Sequence, residues 1–180
     1  NYIRSQGTQQ GFSRVLIIGS SSGYGLSCRI AAAFGMKAAT VGLAFEKPGT
    51  ETSTGTAGWY NTVAFEREAE KAGIPAFSLN GDAFSDQVKD QAIEIIEKRL
   101  GKLDLVIYSL AAPRRRDPVT GQVFWSAIRP LAAPVSTKSL DLIKGEIVET
   151  SIEKATGEQV EGTVKVMGGE DWELWLNRLR

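Results

Sequence analysis

Short apolar runs separated by longer stretches of helical spacing set the pattern of the first 111 residues. The runs are Val15–Ile18, Ala39–Phe45, Ala76–Asn80 and Leu103–Ala111. Each is brief and bounded by turn residues, which reads as a strand. The last is nearly all apolar, as a strand covered on both faces should be. A small-residue helix through Ala31–Phe34 follows the first run. Trp59–Ala72 reads as a second helix, apolar at Val63, Ala64 and Phe65 and stopped at Gly73. Ser85 is the predicted N-cap of a third, with Asp86 in its first turn. Val88, Ala92, Ile95, Ile96 and Leu100 form its buried stripe, and Gly101 closes it. Strands alternating with helices through short links predict an α/β fold, a Rossmann-type doubly wound parallel sheet with helices on both faces. The whole of 1–180 reads as one domain.

Beyond Ala111 the pattern changes. Arg114–Trp125 predicts a turn around Pro118 and Gly121 between short strands, and Leu140–Ile152 a weak hairpin broken at Gly145. Glu158–Met167 predicts a helix, interrupted by Gly168-Gly169. Glu170–Arg180 predicts another, with Trp172, Trp175, Leu176 and Leu179 on one side.

The junction between the first strand and helix carries the most chemistry. Gly19-Ser-Ser-Ser-Gly-Tyr-Gly25 follows a strand and opens a helix, the context of a dinucleotide-binding turn, although its spacing is G-x-x-x-G-x-G rather than G-x-G-x-x-G. Gly19 would let the chain turn sharply. Gly23 would admit backbone close to a pyrophosphate, and Gly25 would let the helix pack closely on the sheet. The N–H groups opening the helix would face the anion. Ser20, Ser21 and Ser22 can add hydroxyl donors to ribose and phosphate oxygens. Taken alone, the same residues also describe a plain turn rich in Gly and Ser. Glu46, at the end of the second strand, stands 21 positions after Gly25, close to the ~20 of the acidic residue that holds the adenosine ribose. A carboxylate there accepts from the ribose hydroxyls and repels a 2′-phosphate, which predicts NADH over NADPH. Asp82, after the third strand, is a candidate base contact or a simple backbone turn. Leu110 and Ala111 end the fourth strand, where the nicotinamide-side ribose lies in such sheets.

Composition narrows the chemistry. Lys plus Arg and Asp plus Glu number 21 each, so no whole-molecule field points to nucleic acid or to an anionic membrane. No apolar run approaches the ~20 residues that span a bilayer. The lone Cys28 allows no internal disulfide, which suits a cytoplasmic protein. With no histidine, Ser-His-Asp and Cys-His sites and the usual zinc sets are excluded within these residues, and no metal is expected. Acid–base work would fall to Tyr, Lys or a carboxylate. Arg114-Arg-Arg116 could meet the phosphates of a CoA or acidic-carrier ligand, or could line a solvated loop. The N-terminal residues resemble neither a signal nor a transit peptide, and without a starting Met the chain reads as trimmed there.

Six segments then occur in order: Gly19-Ser-Ser-Ser-Gly-Tyr-Gly25, Phe45-Glu-Lys-Pro-Gly49, Thr56-Ala-Gly-Trp-Tyr-Asn61, Asn80-Gly-Asp-Ala-Phe-Ser85, Tyr108-Ser-Leu-Ala111 and Val166-Met-Gly-Gly-Glu-Asp-Trp172. Together they resemble the trans-2-enoyl-CoA reductases and FabV-type enoyl-[acyl-carrier-protein] reductases, relatives of the short-chain dehydrogenases. The resemblance runs from Arg14 to the last residue. It implies NADH-dependent reduction of the double bond of a 2-enoyl thioester in fatty-acid synthesis, with enoyl-CoA or enoyl-acyl-carrier-protein as partner. Carried over segment by segment, the cofactor residues are Gly19, Ser20, Ser21, Ser22, Gly23, Tyr24, Phe45, Glu46, Asp82, Ala83, Leu110 and Ala111, with Glu46 choosing NADH over NADPH. The family's chemistry uses a Tyr with a Lys nine positions later, C-terminal to the Met-Gly-Gly-Glu-Asp-Trp segment, and no Tyr in this chain has a Lys at that spacing. The sequence therefore reads as the N-terminal cofactor-binding part of a longer enzyme, without catalytic residues of its own and inactive unless joined to the remainder of its polypeptide. Two other readings fit the glycine turn: a non-catalytic NAD(H)-binding sensor, and a domain that binds S-adenosylmethionine.

Overall fold

Val15, Leu16, Ile17 and Ile18 lose all contact with solvent. A run of consecutive apolar residues does this in a strand flanked by strands and covered on both faces. In the computed structural model, which describes residues 2–180, this strand lies inside a parallel sheet. Asn1, the first of the N-terminal residues that read as trimmed, lies outside the described residues. A short helix α1 (Tyr2–Ser5) precedes β1 (Arg14–Ile18). Helix α2 (Gly23–Ile30) follows and continues as a π-helical turn over Ala31–Gly35. Next come β2 (Ala39–Ala44), α3 (Ala57–Lys71), β3 (Ala76–Asn80), α4 (Asp86–Arg99) and β4 (Leu105–Tyr108). The sheet order is β3-β2-β1-β4 with every pairing parallel. The chain moves outward from β1 to β3, then crosses back to β4 on the other side. The crevice at that reversal is where ligands bind in open α/β sheets.

The pleat sends alternate residues of β1 to two separate cores. Leu16 and Ile18, with Val41 and Leu43, pack against Val88, Ala92 and Ile96 of α4 and against Leu100 just past its end. Val15 and Ile17 pack against Ala32 and Ala38. Beyond them Phe34 meets Phe65 of α3 edge-on, with ring centroids 5.6 Å apart. Helices therefore cover both faces, as the strand–helix alternation predicts. Ser85 caps α4 by accepting from the Val88 N–H at 3.3 Å. Gly101 ends that helix at φ 72°, its N–H reaching Ile96 O at 2.7 Å.

The fourth strand is shorter than its apolar run. Pairing with β1 covers Leu105–Tyr108, and the last bond runs from Ser109 N to Ile18 O at 2.8 Å. Since β1 turns away at Gly19, Leu110 and Ala111 have no strand to pair with and continue as a loop. β4 is also only half-buried, where its composition predicts cover on both faces. It is the edge of the sheet among the described residues.

Residues 112–180 form two hairpins and two helices. β5 (Arg114–Arg116) pairs with β6 (Val123–Trp125), and β7 (Val135–Asp141) with β8 (Glu146–Ile152). The two turns share one chemistry. Asp117 Oδ1 accepts from the N–H groups of Val119 and Thr120, and Asp141 Oδ1 from those of Ile143 and Lys144. A glycine at positive φ then closes each turn, Gly121 and Gly145. Helix α5 (Gly157–Met167) starts in a capping box of Thr156 and Gln159. Helix α6 (Glu170–Leu179) lies against α4 and delivers Trp175, fully buried, to the core of that face. Trp172 rests on Tyr108 with ring centroids 5.3 Å apart. Among the described residues no helix is long and apolar enough to cross a membrane.

Candidate nucleotide site

A cavity of about 660 Å³ opens at the carboxyl ends of the four strands. Segments far apart in the chain meet there: Gly19 and Ser21–Tyr24 after β1, Phe45 and Glu46 after β2, Gly81–Ala83 after β3, and Ser109–Ala111 after β4. Of the residues carried over as cofactor contacts, all but Ser20 line it.

The turn after β1 depends on two glycines. Gly19 adopts φ 86°, and a Cβ there would stand 2.3 Å from the Ser109 carbonyl oxygen. A Cβ on Gly25 would stand 1.9 Å from the carbonyl oxygen of Gly19. The turn and the helix start are thus pressed against one another and against the end of β4, which is the close packing predicted for Gly25. Ser22 precedes α2 in an extended conformation and its hydroxyl caps nothing. The first intrahelical bond runs from Leu26 N to Ser22 O at 3.1 Å. The amides of Gly23, Tyr24 and Gly25 therefore have no helical acceptor and bear the positive end of the helix dipole.

Ser20 departs from expectation. It is 1% exposed, and both its Oγ and its N–H donate to Leu43 O, at 3.1 and 2.8 Å. Its hydroxyl ties the turn to β2 and cannot reach a ligand in the cavity. Ser21 turns the other way, donating from Oγ to Glu46 Oε1 at 2.6 Å.

Glu46 is held at its backbone as well. Asn80 accepts from Glu46 N at 2.8 Å and donates from Nδ2 to Glu46 O at 2.9 Å. This two-point amide clamp joins the ends of β2 and β3. Asn61 of α3 donates from Nδ2 to Ser21 O at 3.0 Å. Sequence reasoning placed Asn61 and Asn80 within distinctive segments but assigned neither a role. Asp82 takes the backbone-turn role of the two considered for it, and its place beside the cavity leaves the base contact a proposal. It lines the cavity, and its Oδ1 accepts from Phe84 N at 3.0 Å to turn the backbone. Tyr24 and Phe45 lie at the rim, 87% and 73% exposed, surface that a ligand could cover.

Behind the cavity lies a buried ionic cluster that the sequence does not announce. Lys89 Nζ donates to the carbonyls of Ala83 and Phe84 at 3.0 and 2.7 Å and pairs with Asp171 Oδ1 at 2.8 Å. Asp171 Oδ2 accepts from the Tyr108 hydroxyl at 2.8 Å. The two charged side chains are 0% and 1% exposed. Burial pulls Lys89 below the ordinary lysine value, with Asp171 opposing that shift. Burial, then the Asp171 charge, pushes the Tyr108 phenol well above its ordinary value, so it stays protonated. Lys89 shares the buried face of α4 with Ala92 and Ile96, but a charged residue adds nothing to an apolar periodicity, which therefore passes over it.

The arginine run divides. Arg115 is 1% exposed and is engaged within the protein, donating to Lys165 O at 2.8 Å and pairing with Glu170 Oε2 at 2.9 Å. That excludes it from the phosphate role considered for all three arginines. Arg114 and Arg116 are exposed and line the cavity mouth.

A family described as "Trans-2-enoyl-CoA reductase catalytic region" matches residues 53–180, and one described as "NAD(P)H binding domain of trans-2-enoyl-CoA reductase" matches residues 1–51. The boundary falls in the loop between β2 and α3, and so divides the single sheet formed by β1, β2, β3 and β4. An enoyl-[acyl-carrier-protein] reductase [NADH] of Edwardsiella ictaluri is 53% identical over 99% of this chain and 45% of its own length. A trans-2-enoyl-CoA reductase [NADH] of Ruminiclostridium cellulolyticum is 49% identical over 99% of this chain and 45% of its own length. The crystal structure of a Clostridium acetobutulicum trans-2-enoyl-CoA reductase in complex with NADH is 42% identical and superposes at a TM-score of 0.93, covering 99% of this chain and 45% of that one. The chain thus spans less than half the length of these relatives.

Proposed function

This chain belongs to the trans-2-enoyl-CoA reductase family, and from that premise we propose that it is the cofactor-holding part of an NADH-dependent reductase of 2-enoyl thioesters. The observation that carries the proposal is the cavity itself. Amides of the α2 start without helical acceptors stand on one side, and a carboxylate fixed by Ser21 and Asn80 stands at the end of the neighbouring strand. That pairing suits a dinucleotide: the amides and the dipole take the diphosphate, and Glu46 takes the adenosine ribose hydroxyls.

Bound there, reduced nicotinamide supplies the hydride that saturates the enoyl double bond. The residues of this chain prepare that step. Gly23 and Tyr24 hold the diphosphate through backbone amides. Glu46 accepts from the ribose diol and disfavours a 2′-phosphate by charge. Asp82 and Ala83 border the adenine, and Leu110 and Ala111 the nicotinamide-side ribose. Tyr24 and Phe45 cover the nucleotide from the rim and exclude water. Arg114 and Arg116 at the mouth suit a phosphate-bearing acyl carrier, CoA or acyl carrier protein. A Tyr–Lys pair, absent at the expected spacing from these residues, would hydrogen-bond the thioester oxygen, after which the α-carbon is protonated.

Calorimetric titration of the gene-encoded polypeptide tests this reading. Saturable NADH binding, tighter than NADPH, is expected. Glu46→Ala should weaken NADH about 10- to 100-fold, the equivalent of a hydrogen bond to a charged group. Equal affinity for the two nucleotides in the unaltered protein would remove Glu46 from its role.

A further inference from the structure

The Glu46 carboxylate rests against a residue that does not line the cavity. Gly58, in the first turn of α3, is buried, and a Cβ there would lie 2.0 Å from Glu46 Oε1, 2.4 Å from its carboxyl carbon and 2.9 Å from Ser21 Cβ. The backbone does not call for glycine, because Gly58 is helical and absent from the residues of positive φ. Alanine is the better helix former. What the structure offers in return is space: the missing side chain is the seat of Oε1. The same carboxylate oxygen is fixed from above by Ser21 Oγ at 2.6 Å, and the Glu46 backbone is clamped by Asn80.

We infer that Gly58, with Asn80, sets the preference for a 2′-hydroxyl over a 2′-phosphate dinucleotide by seating the Glu46 carboxylate, without touching the cofactor. A methyl at position 58 displaces Oε1 rather than backbone, because a carboxylate on two methylenes is the most easily moved neighbour. Once displaced, it neither receives the ribose hydroxyls in line nor stands where it repels a 2′-phosphate. NADH then binds more weakly and NADPH is penalised less. Loss of the Asn80 clamp moves the same group from its backbone. Both are positioning residues, and the inference rests on the reading of Glu46 given above.

The test is the ratio of NADPH to NADH dissociation constants in the gene-encoded polypeptide, measured for the unaltered protein, Glu46→Ala, Gly58→Ala and Asn80→Ala, each checked for cooperative melting. The expected result is a ratio that falls about tenfold in Gly58→Ala and moves the same way in Asn80→Ala and Glu46→Ala. Adding Glu46→Asp to Gly58→Ala should restore part of it, since the shorter side chain withdraws from the methyl. A ratio unchanged in Glu46→Ala would overturn the role of Glu46 and this inference with it. A ratio that falls in Glu46→Ala but holds in Gly58→Ala, or a Gly58→Ala variant weakened equally toward both nucleotides, would overturn this inference alone. If Gly58→Ala does not fold, Asn80→Ala decides: a lowered ratio supports the positioning role and an unchanged one overturns it.

Discussion

Three consecutive serines after β1 have three different uses. Ser20 is buried and bonds to Leu43 O, Ser21 bonds to the Glu46 carboxylate, and Ser22 is exposed with its hydroxyl uncommitted. Ser20→Ala should therefore cost about 0.5–1.5 kcal/mol of stability and leave NADH affinity unchanged, which urea denaturation beside an NADH titration would check. A loss of affinity without a loss of stability would return Ser20 to the cavity. The sequence could not separate these roles, because the direction of a side chain in an irregular turn follows from dihedrals that adjacent identical residues do not encode. Glu46 was legible for the opposite reason. Its place depends on a spacing that the strand–turn–helix–strand unit dictates, so counting along the chain finds it.

Among the elements, α4 and α6 are joined by more than apolar packing. Lys89 and Asp171 form a buried pair that also holds the Ala83 and Phe84 carbonyls and the Tyr108 hydroxyl. Lys89→Met strands the Asp171 charge in the core, and should cost about 3–5 kcal/mol, measured as a fall in the denaturation midpoint. A second polar tie joins the start of β1 to the loop before β4. Asp104 accepts from Ser13 N and Arg14 N, each at 3.0 Å, and pairs with the Arg14 guanidinium at 2.7 Å. That guanidinium, then the Ser13 N–H, hold the Asp104 carboxyl below its ordinary value of 3.8. The unfolded chain consequently takes up this proton at higher pH than the folded one. The stabilisation is present above the ordinary value and is lost as pH falls through the depressed one. Acid denaturation curves of the unaltered protein and of Asp104→Asn should converge below that range and separate above it; parallel curves would assign the acid sensitivity elsewhere. The hairpins were legible from Asp117 to Gly121 and Asp141 to Gly145, where turn residues carry the signal. The first half of β7 was not: Val135-Ser-Thr-Lys-Ser139 lies on an exposed ribbon where no face is selected for apolar residues.

Across the whole molecule, one central strand organises residues that the chain separates widely. β1 sits beside both β2 and β4, so the segments after each converge at one end, and the α2 start is aimed into the same crevice. This much follows from alternation and spacing. The way residues 112–180 return to seat α6 on α4 does not, because it depends on long-range burial of Trp175 and the Lys89–Asp171 pair rather than on local pattern. The central claim is that amides of the α2 start hold a diphosphate while Glu46 holds the adjoining ribose. A crystal structure of the gene-encoded polypeptide grown with NADH tests it most directly. The diphosphate is expected within hydrogen-bond reach of the Gly23 and Tyr24 amides, and the adenosine ribose diol on the Glu46 carboxylate. A nucleotide seated elsewhere on the molecule, with this crevice closed by its own side chains, would contradict it.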